Sequence, residues 1–173
     1  LAIVCGNSVV WKPSPKTMAV SYLCKKIWDE TAETEDQCKL LEIVDGDVNE
    51  AKWMAQDKRI NLLSATGSCE MGKALAPLVS ERMGKGLYEL GGNNAMVVSE
   101  HANLDLAVRA IVFSAVGTCG QRCTTLRRLI VHRSKYDELL ERLKKSYASL
   151  PIGNPIKREN LVCLLYTSDA ADE

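Results

Sequence analysis

Apolar positions along residues 1–88 switch repeatedly between the two-residue period of a strand and the three-to-four-residue period of a helix. Short runs of apolar residues predict three strands: Ser8–Lys12, Leu40–Val44 and Ile60–Ser64. Helical spacing follows each strand, in segments that start at Lys16, at Glu50 and at Cys69. This alternation is typical of a parallel sheet covered by helices. Parallel sheets bind ligands at the carboxyl ends of their strands, which directs attention to the loops after Lys12 and Thr66.

The pattern changes after Gly86. A strand leads through Glu89 and Leu90 into two glycines, and Ala95–Val98 predicts a fresh strand. The next helix, Leu104–Val116, is apolar at nearly every position, which predicts burial on most sides. A strand at Arg128–His132 and an amphipathic helix at Tyr136–Leu150 complete the order. Four residues of that last helix are expected to point inward: Leu139, Leu140, Leu143 and Tyr147.

We therefore predict an α/β chain with a domain boundary near Glu89. Residues 1–88 would form a partial nucleotide-binding domain, and residues 89–162 the start of a second α/β domain. Residues 163–173 continue neither the pattern nor the spacing before them, so we expect a non-native tail there. Because the chain opens at Leu1 in mid-pattern, we expect a fragment.

Charge and cysteine usage narrow the function classes. Lys plus Arg and Asp plus Glu both number 22, so no net charge draws the chain to nucleic acid or to an acidic membrane. The apolar stretches are too short to span a bilayer. Seven cysteines without paired spacing do not suit a secreted disulfide framework. A reducing, cytoplasmic location is expected, with most thiols free and buried.

A glycine-bearing segment, Gly67–Gly72, separates the third predicted strand from its helix. Glycine lets the backbone approach a pyrophosphate, and a helix N-terminus offers unpaired N–H groups. The spacing matches neither the GxGxxG fingerprint nor a Walker motif. A plain strand-to-helix turn therefore explains the segment equally well.

Two further residues have the chemistry of an active site. Glu89 stands beside a bare glycine backbone, where a water or a substrate has room to approach, although a solvated or ion-paired carboxylate is the ordinary alternative. Cys123 follows a long apolar helix and directly succeeds Arg122, whose guanidinium favours the nucleophilic thiolate. On local features alone, an inert buried cysteine explains Cys123 as well.

The other cysteines and the histidines bear on two further kinds of site, a disulfide and a metal site. Cys119 lies one helical turn before Cys123, so a disulfide between them, or a thiol–disulfide activity, is conceivable. A metal site is not expected, because His101 and His132 lack ligand spacing.

Four motifs in register resemble the aldehyde dehydrogenase superfamily over residues 1–162. They are Ser8-Val-Val-Trp-Lys-Pro-Ser14, Ser64-Ala-Thr-Gly-Ser68, Glu89-Leu-Gly-Gly-Asn-Asn-Ala95 and Gly120-Gln-Arg-Cys-Thr-Thr125. The third and fourth look most like the antiquitin branch, which oxidises α-aminoadipic semialdehyde in lysine breakdown. The resemblance implies a Rossmann-like NAD-binding domain, a small-molecule aldehyde substrate and a homo-oligomeric parent, a dimer or a tetramer.

The resemblance also implies residues that bind NAD. Lys12 would bind the adenosine ribose, with the loop from Trp11 to Ser14 beside it. Gly67–Ser68 would meet the pyrophosphate, and Leu90 would lie near the nicotinamide. Ala51 departs from the family pattern, in which a glycine often faces the adenine.

By the same resemblance, Cys123 is the nucleophile and Glu89 the general base. Arg122 is similar to the arginine that binds the substrate's carboxylate, a task that suits the planar guanidinium, and Thr124 is a further substrate contact. The family's oxyanion asparagine would lie before Leu1, and its ribose-binding glutamate after the matched region. The alternative is therefore a truncated, inactive nucleotide-binding fragment, and we expect the isolated chain to be inactive.

Overall fold

The computed structural model describes residues 1–165 of the chain, which divides into two compact units. The first unit comprises Leu1–Ala65 and Glu70–Tyr88, and the second comprises Thr66–Cys69 and the chain from Glu89 onward. The change of unit at Glu89 coincides with the change in the hydrophobic pattern, and the short segment Thr66–Cys69 also belongs to the second unit. Residues 166–173, most of the expected tail, lie outside the described residues.

The elements up to Glu89 follow the predicted order of strands and helices. The strands are β1 (Val9–Trp11), β2 (Leu41–Ile43), β3 (Leu62–Thr66) and β4 (Lys85–Glu89). The helices are α1 (Met18–Thr31), α2 (Glu35–Cys38), α3 (Val48–Gln56) and α4 (Cys69–Glu81). Helix α2 lies in a polar stretch and was not predicted from the sequence. It forms there because Thr34 accepts a hydrogen bond from the backbone N–H of Gln37 and so caps its N-terminus.

The strands of the described residues pair two by two rather than in one continuous sheet. Strands β1 and β2 run parallel, with Val9 opposite Leu41 and Trp11 opposite Ile43, and β3 pairs with β4. Parallel pairing requires a long crossover between strands, and α1 with α2 supplies it for the first pair. The carboxyl ends of β1 and β2 therefore meet at one edge.

The core of the first unit lies between α3, β3 and α4. Its buried side chains are Met54, Ala55, Leu63, Leu75 and Val79. Helix α3 is held at its start by a capping box, in which Asp47 accepts from the helix backbone and Glu50 accepts from the N–H of Asp47. Ala51 packs against this core.

The second unit is built around one strand–helix–strand crossover. Its elements are β5 (Asn94–Val98), α5 (Leu104–Val116), β6 (Leu126–Val131) and α6 (Tyr136–Ala148). Strands β5 and β6 are parallel. Val98, Leu104, Ile111 and Leu139 form the buried core between the sheet and the two helices.

The prediction that α5 is buried on most sides holds for all but one face, since nine of its thirteen residues are buried or half-buried. The exposed residues are Asp105, Leu106, Arg109 and Phe113, which share that face; Leu106 and Phe113 are 69% and 70% exposed. On α6, Leu139 and Leu143 face the core as expected, whereas Leu140 and Tyr147 are exposed.

Within residues 1–165, the helices are all too short or too polar to cross a membrane.

Leu139 offers a test of the second core. It is 1% exposed, whereas its neighbour Leu140 is 36% exposed. Leu139→Ala should lower the free energy of unfolding by about 2–5 kcal/mol, because the lost contacts leave a cavity. Leu140→Ala, the matched control, should cost well under half as much. Urea denaturation followed by circular dichroism measures both, and equal losses would contradict the placement of this core.

Candidate active site

Cys123 lies on a tight turn that joins the end of α5 to β6. The N–H of Thr125 donates to the carbonyl of Arg122 over 3.1 Å, which closes the four-residue turn. The N–H of Arg122 donates in return to Oγ1 of Thr125 over 3.0 Å. Because Thr125 is buried, the turn is anchored in the unit while its two central residues, Cys123 and Thr124, stay exposed.

The exposed thiol of Cys123 has unpaired backbone donors beside it. Cys123 is free and exposed, which excludes the inert buried cysteine considered from sequence. Within residues 1–165, the backbone N–H groups of Cys123 and Thr124 have no acceptor. Successive unpaired N–H groups can bind an anion or a developing oxyanion. The tip of the turn thus places an exposed thiol beside donors for negative charge.

The prediction that most thiols are buried is wrong. Four of the seven cysteines are exposed and three are half-buried. Cysteine packs as a small hydrophobe when it is buried, but its position in the sequence pattern did not show which face it occupies. All seven are free, and the thiol of Cys119 accepts a hydrogen bond from the N–H of Cys163 over 3.4 Å.

A left-handed segment precedes the turn. Thr118 and Cys119 have φ values of 56°, and Gly120 follows with φ of 71°. Side-chain-bearing residues occupy this region at a cost of roughly 1–2 kcal/mol each. The segment therefore stores strain one turn before Cys123, where the chain turns out of α5.

Arg122 is held toward α5 and keeps part of its guanidinium free. Its Nε donates to Oγ1 of Thr118 over 2.7 Å, and its guanidinium carbon lies 5.8 Å from the ring centre of Phe113. Its two terminal amino groups make no hydrogen bond within residues 1–165. This is the fork that binds a carboxylate in bidentate fashion.

Glu89 ends β4, and its backbone joins it to the glycine-bearing turn. The N–H of Gly67 donates to the carbonyl of Glu89 over 3.0 Å, and the thiol of Cys69 donates to the carbonyl of Gly91 over 3.7 Å. The Glu89 carboxylate is exposed and forms no ion pair within residues 1–165. The N–H of Gly67 is thus already used in this hydrogen bond. Ser68, which follows Gly67, and Leu90, which follows Glu89, are both half-buried.

Gly92, three residues after Glu89, lies against the turn that contains Cys123. A Cβ atom at Gly92 would lie 2.8 Å from the carbonyl oxygen of Cys123, so only glycine permits this approach. Sequence reasoning noticed the bare backbone here but missed Asn94. The Nδ2 of Asn94 donates to the carbonyls of Cys123 and Thr125, over 2.7 and 3.0 Å. The only signal was a pair of amides, Asn93 and Asn94, directly after the two glycines.

The structure therefore brings most of the predicted site residues into the second unit. These are Gly67, Ser68, Glu89, Leu90, Arg122, Cys123 and Thr124. The remaining three, Trp11, Lys12 and Ser14, lie in the first unit.

Lys12 lies where the carboxyl ends of β1 and β2 meet. Its ammonium donates to the carbonyls of Pro13 and Gly46, over 2.8 and 3.1 Å. An ammonium has three N–H donors, so one remains, and within residues 1–165 no carboxylate pairs with this charge. Trp11 is half-buried in β1, and the hydroxyl of Ser14 accepts from the N–H of Lys16 over 3.3 Å. A ligand with hydroxyl acceptors suits this edge.

The described part of the chain holds no group of three or more His, Cys, Asp or Glu side chains placed to bind a metal ion.

Known proteins match both the sequence and the fold. Residues 1–173 match the model of the aldehyde dehydrogenase family. The chain is 43% identical to alpha-aminoadipic semialdehyde dehydrogenase of Bos taurus, over 98% of the chain and 32% of that protein. Aldehyde dehydrogenase family 7 member B4 of Arabidopsis thaliana is 42% identical over 98% of the chain and 34% of its own length. The chain thus spans about a third of these relatives.

Among solved structures, lactaldehyde dehydrogenase from Escherichia coli superposes with a TM-score of 0.87 at 30% identity. The superposition covers 98% of the chain and 35% of that protein. The α/β fold expected from the strand–helix alternation is thereby confirmed as an aldehyde dehydrogenase fold. The chain belongs to the aldehyde dehydrogenase family.

Proposed function

We propose that the full-length protein carrying this segment oxidises an aldehyde to a carboxylic acid with NAD, through a thioester on Cys123. The observation that carries the proposal is the exposed thiol of Cys123 on an anchored turn, with unpaired N–H groups at its tip. Gly92 contacts this turn and belongs to the segment that follows Glu89. A nucleophile, oxyanion donors and a carboxylate base are the parts that such a reaction requires.

Two separate groups of residues are proposed to bind NAD. The free donor of Lys12 suits a ribose hydroxyl, with Trp11 and Ser14 beside it at the end of β1. Gly67–Ser68 and the N-terminus of α4 would face the pyrophosphate, where the helix dipole favours negative charge, and Leu90 would lie near the nicotinamide. When bound, NAD supplies the acceptor for a hydride.

The first half of the reaction forms a carbon–sulfur bond. The thiolate of Cys123 adds to the aldehyde carbon, and the π electrons of the carbonyl move onto its oxygen. The N–H of Cys123 donates to that oxygen and stabilises its charge. Loss of hydride from the same carbon then restores the carbonyl and leaves a thioester on Cys123.

The second half of the reaction breaks that carbon–sulfur bond. Glu89 takes a proton from water, and the hydroxide equivalent adds to the thioester carbon. The tetrahedral intermediate collapses with the sulfur as leaving group, which regenerates the Cys123 thiolate and releases the carboxylic acid. The absence of an ion pair at Glu89 keeps its carboxylate available for this proton transfer.

The substrate we propose carries a carboxylate of its own, as α-aminoadipic semialdehyde does. Two observations support it: the unpaired terminal amino groups of Arg122, next to the nucleophile, and the likeness to alpha-aminoadipic semialdehyde dehydrogenase of Bos taurus. Thr124, at the exposed tip of the same turn, offers its hydroxyl and N–H as a further contact.

Cys123→Ala in the full-length protein should lower the oxidation rate by about 10⁴-fold or more, because the covalent route is lost. NAD affinity, measured by quenching of tryptophan fluorescence, should stay within about twofold. Cys119→Ala is the matched control and should keep activity within about threefold. Equal losses in both variants would favour the alternative in which the two thiols act as a redox pair.

Glu89→Gln should separate the two halves of the reaction. Acylation of Cys123 needs no base at Glu89 once the thiolate has formed, whereas hydrolysis of the thioester does. Stopped-flow absorbance should show one equivalent of NADH per active site, followed by turnover slowed by about 10²-fold or more. Glu100→Gln, an exposed carboxylate elsewhere in the second unit, should show normal turnover. Normal turnover by Glu89→Gln would remove the role of this residue.

Arg122→Ala should raise the KM for a carboxylated semialdehyde by about 10- to 100-fold, the effect of losing a charged hydrogen-bonded pair. The KM for a neutral aldehyde of the same length should change by less than about threefold. Arg133→Ala, an exposed arginine after β6, serves as the control. A parallel rise for both substrates would rule out carboxylate recognition by Arg122.

A further inference from the structure

We propose that Asn94 is a positioning residue: its side chain aims the turn that carries Cys123. The inference rests on the proposed function, since it concerns the reactivity of that thiol. Both N–H groups of an amide side chain can donate, and Nδ2 of Asn94 donates to two backbone carbonyls of the turn, those of Cys123 and Thr125.

The side-chain amide of Asn94 forms hydrogen bonds at the end of the β5–β6 ladder, where backbone pairing between the two strands stops. Asn94 lies opposite Leu126 in the first pair of the β5–β6 ladder, and the register shifts directly after it, so that Ala95 lies opposite Arg128. Residues 122–125, directly before Leu126, form the turn and pair with no strand. The side chain of Asn94 thus replaces the backbone donors that a longer ladder would have offered to the carbonyls of Cys123 and Thr125.

Two side chains of β6 donate hydrogen bonds to the segment that contains Asn94. Nε of Arg127 donates to the carbonyl of Gly92 over 3.1 Å, and a terminal amino group of Arg128 donates to the carbonyl of Asn93 over 2.7 Å. Hydrogen bonds therefore cross in both directions between residues 92–94 and residues 123–128. The missing side chain at Gly92 lets the two backbones come this close.

Fixing these carbonyls also fixes the N–H groups at the tip. The described peptide bonds are trans, so the C=O and the N–H of each peptide point in opposite directions. The carbonyl of Cys123 points to Asn94, and the N–H of Thr124, in the same peptide, therefore points away from Asn94. Likewise, the carbonyl of Arg122 accepts from the N–H of Thr125, which directs the N–H of Cys123 outward.

Loss of the Asn94 amide should therefore displace the N–H groups of Cys123 and Thr124 from the reacting carbon. The affinity for NAD should not change. A displacement of the order of 1 Å at a reacting group costs about 10²-fold in rate. Asn94→Asp should do more harm than Asn94→Ala at neutral pH, because a carboxylate would face two carbonyl oxygens. Protonation of that carboxyl at lower pH restores one donor, so the rate of Asn94→Asp relative to Asn94→Ala should rise as the pH falls.

The experiment compares Asn94→Ala and Asn94→Asp with Asn93→Ala and Asn93→Asp in the full-length protein. Asn93 is a matched control, because its exposed side chain is adjacent and makes no hydrogen bond within residues 1–165. Stopped-flow NADH bursts give the acylation rate per active site, and alkylation by iodoacetamide, followed on the Cys123 peptide by mass spectrometry, gives the reactivity of the thiol.

We expect the acylation rate of the Asn94 variants to fall about 10- to 100-fold with the KM for NAD within about twofold, and both Asn93 variants to match the unsubstituted protein. An acylation rate per active site for Asn94→Ala within about twofold of that of Asn93→Ala would overturn the proposal. If Asn94→Asp does not fold, Asn94→Ala alone decides. Oxidation that survives Cys123→Ala would defeat the proposed function, whereas normal Asn94 variants beside an inactive Cys123→Ala defeat only this inference.

Discussion

The close approach of two backbones, at Gly92 and at Cys123, is the constraint on which the candidate site depends. A single methyl group at Gly92 would come within 2.8 Å of the Cys123 carbonyl oxygen. Real Cβ atoms do not tolerate that distance from a backbone oxygen, so the turn would have to move. Gly92 therefore lets the segment after Glu89 lie against the turn that contains Cys123, in a unit whose core is otherwise an ordinary crossover of strand, helix and strand.

The site combines backbone strain with open hydrogen-bond donors. Thr118 and Cys119 adopt left-handed backbone conformations, and the exposed N–H groups of Cys123 and Thr124 lack acceptors in residues 1–165. Backbone strain persists where the surrounding structure over-determines it. Here, buried Thr125 and the Asn94 amide provide that surrounding structure. The stabilising contacts and the reactive groups thus belong to the same few residues.

Much of the secondary structure could be predicted from local patterns, because strands and helices have different hydrophobic periods. Helix α4 begins at Cys69 as predicted, whereas β3 runs two residues later than predicted and α2 was missed. The pattern was weakest in helix α5, where only two charged residues, Asp105 and Arg109, mark the exposed face. Phe113 lies on that face and is exposed beside Arg122, which was not predicted.

The sequence by itself determined the order of the elements, the residues with reactive chemistry and the family, because these depend on residue type and short spacing. Only the tertiary structure decided that Asn94 would bind the carbonyl of Cys123, 29 residues away, or that Lys12 would use the carbonyl of Gly46, 34 residues away. Such contacts depend on strand register and on the path of the intervening helix. Neither the register nor the path of the helix can be inferred from the types of the residues that make these contacts.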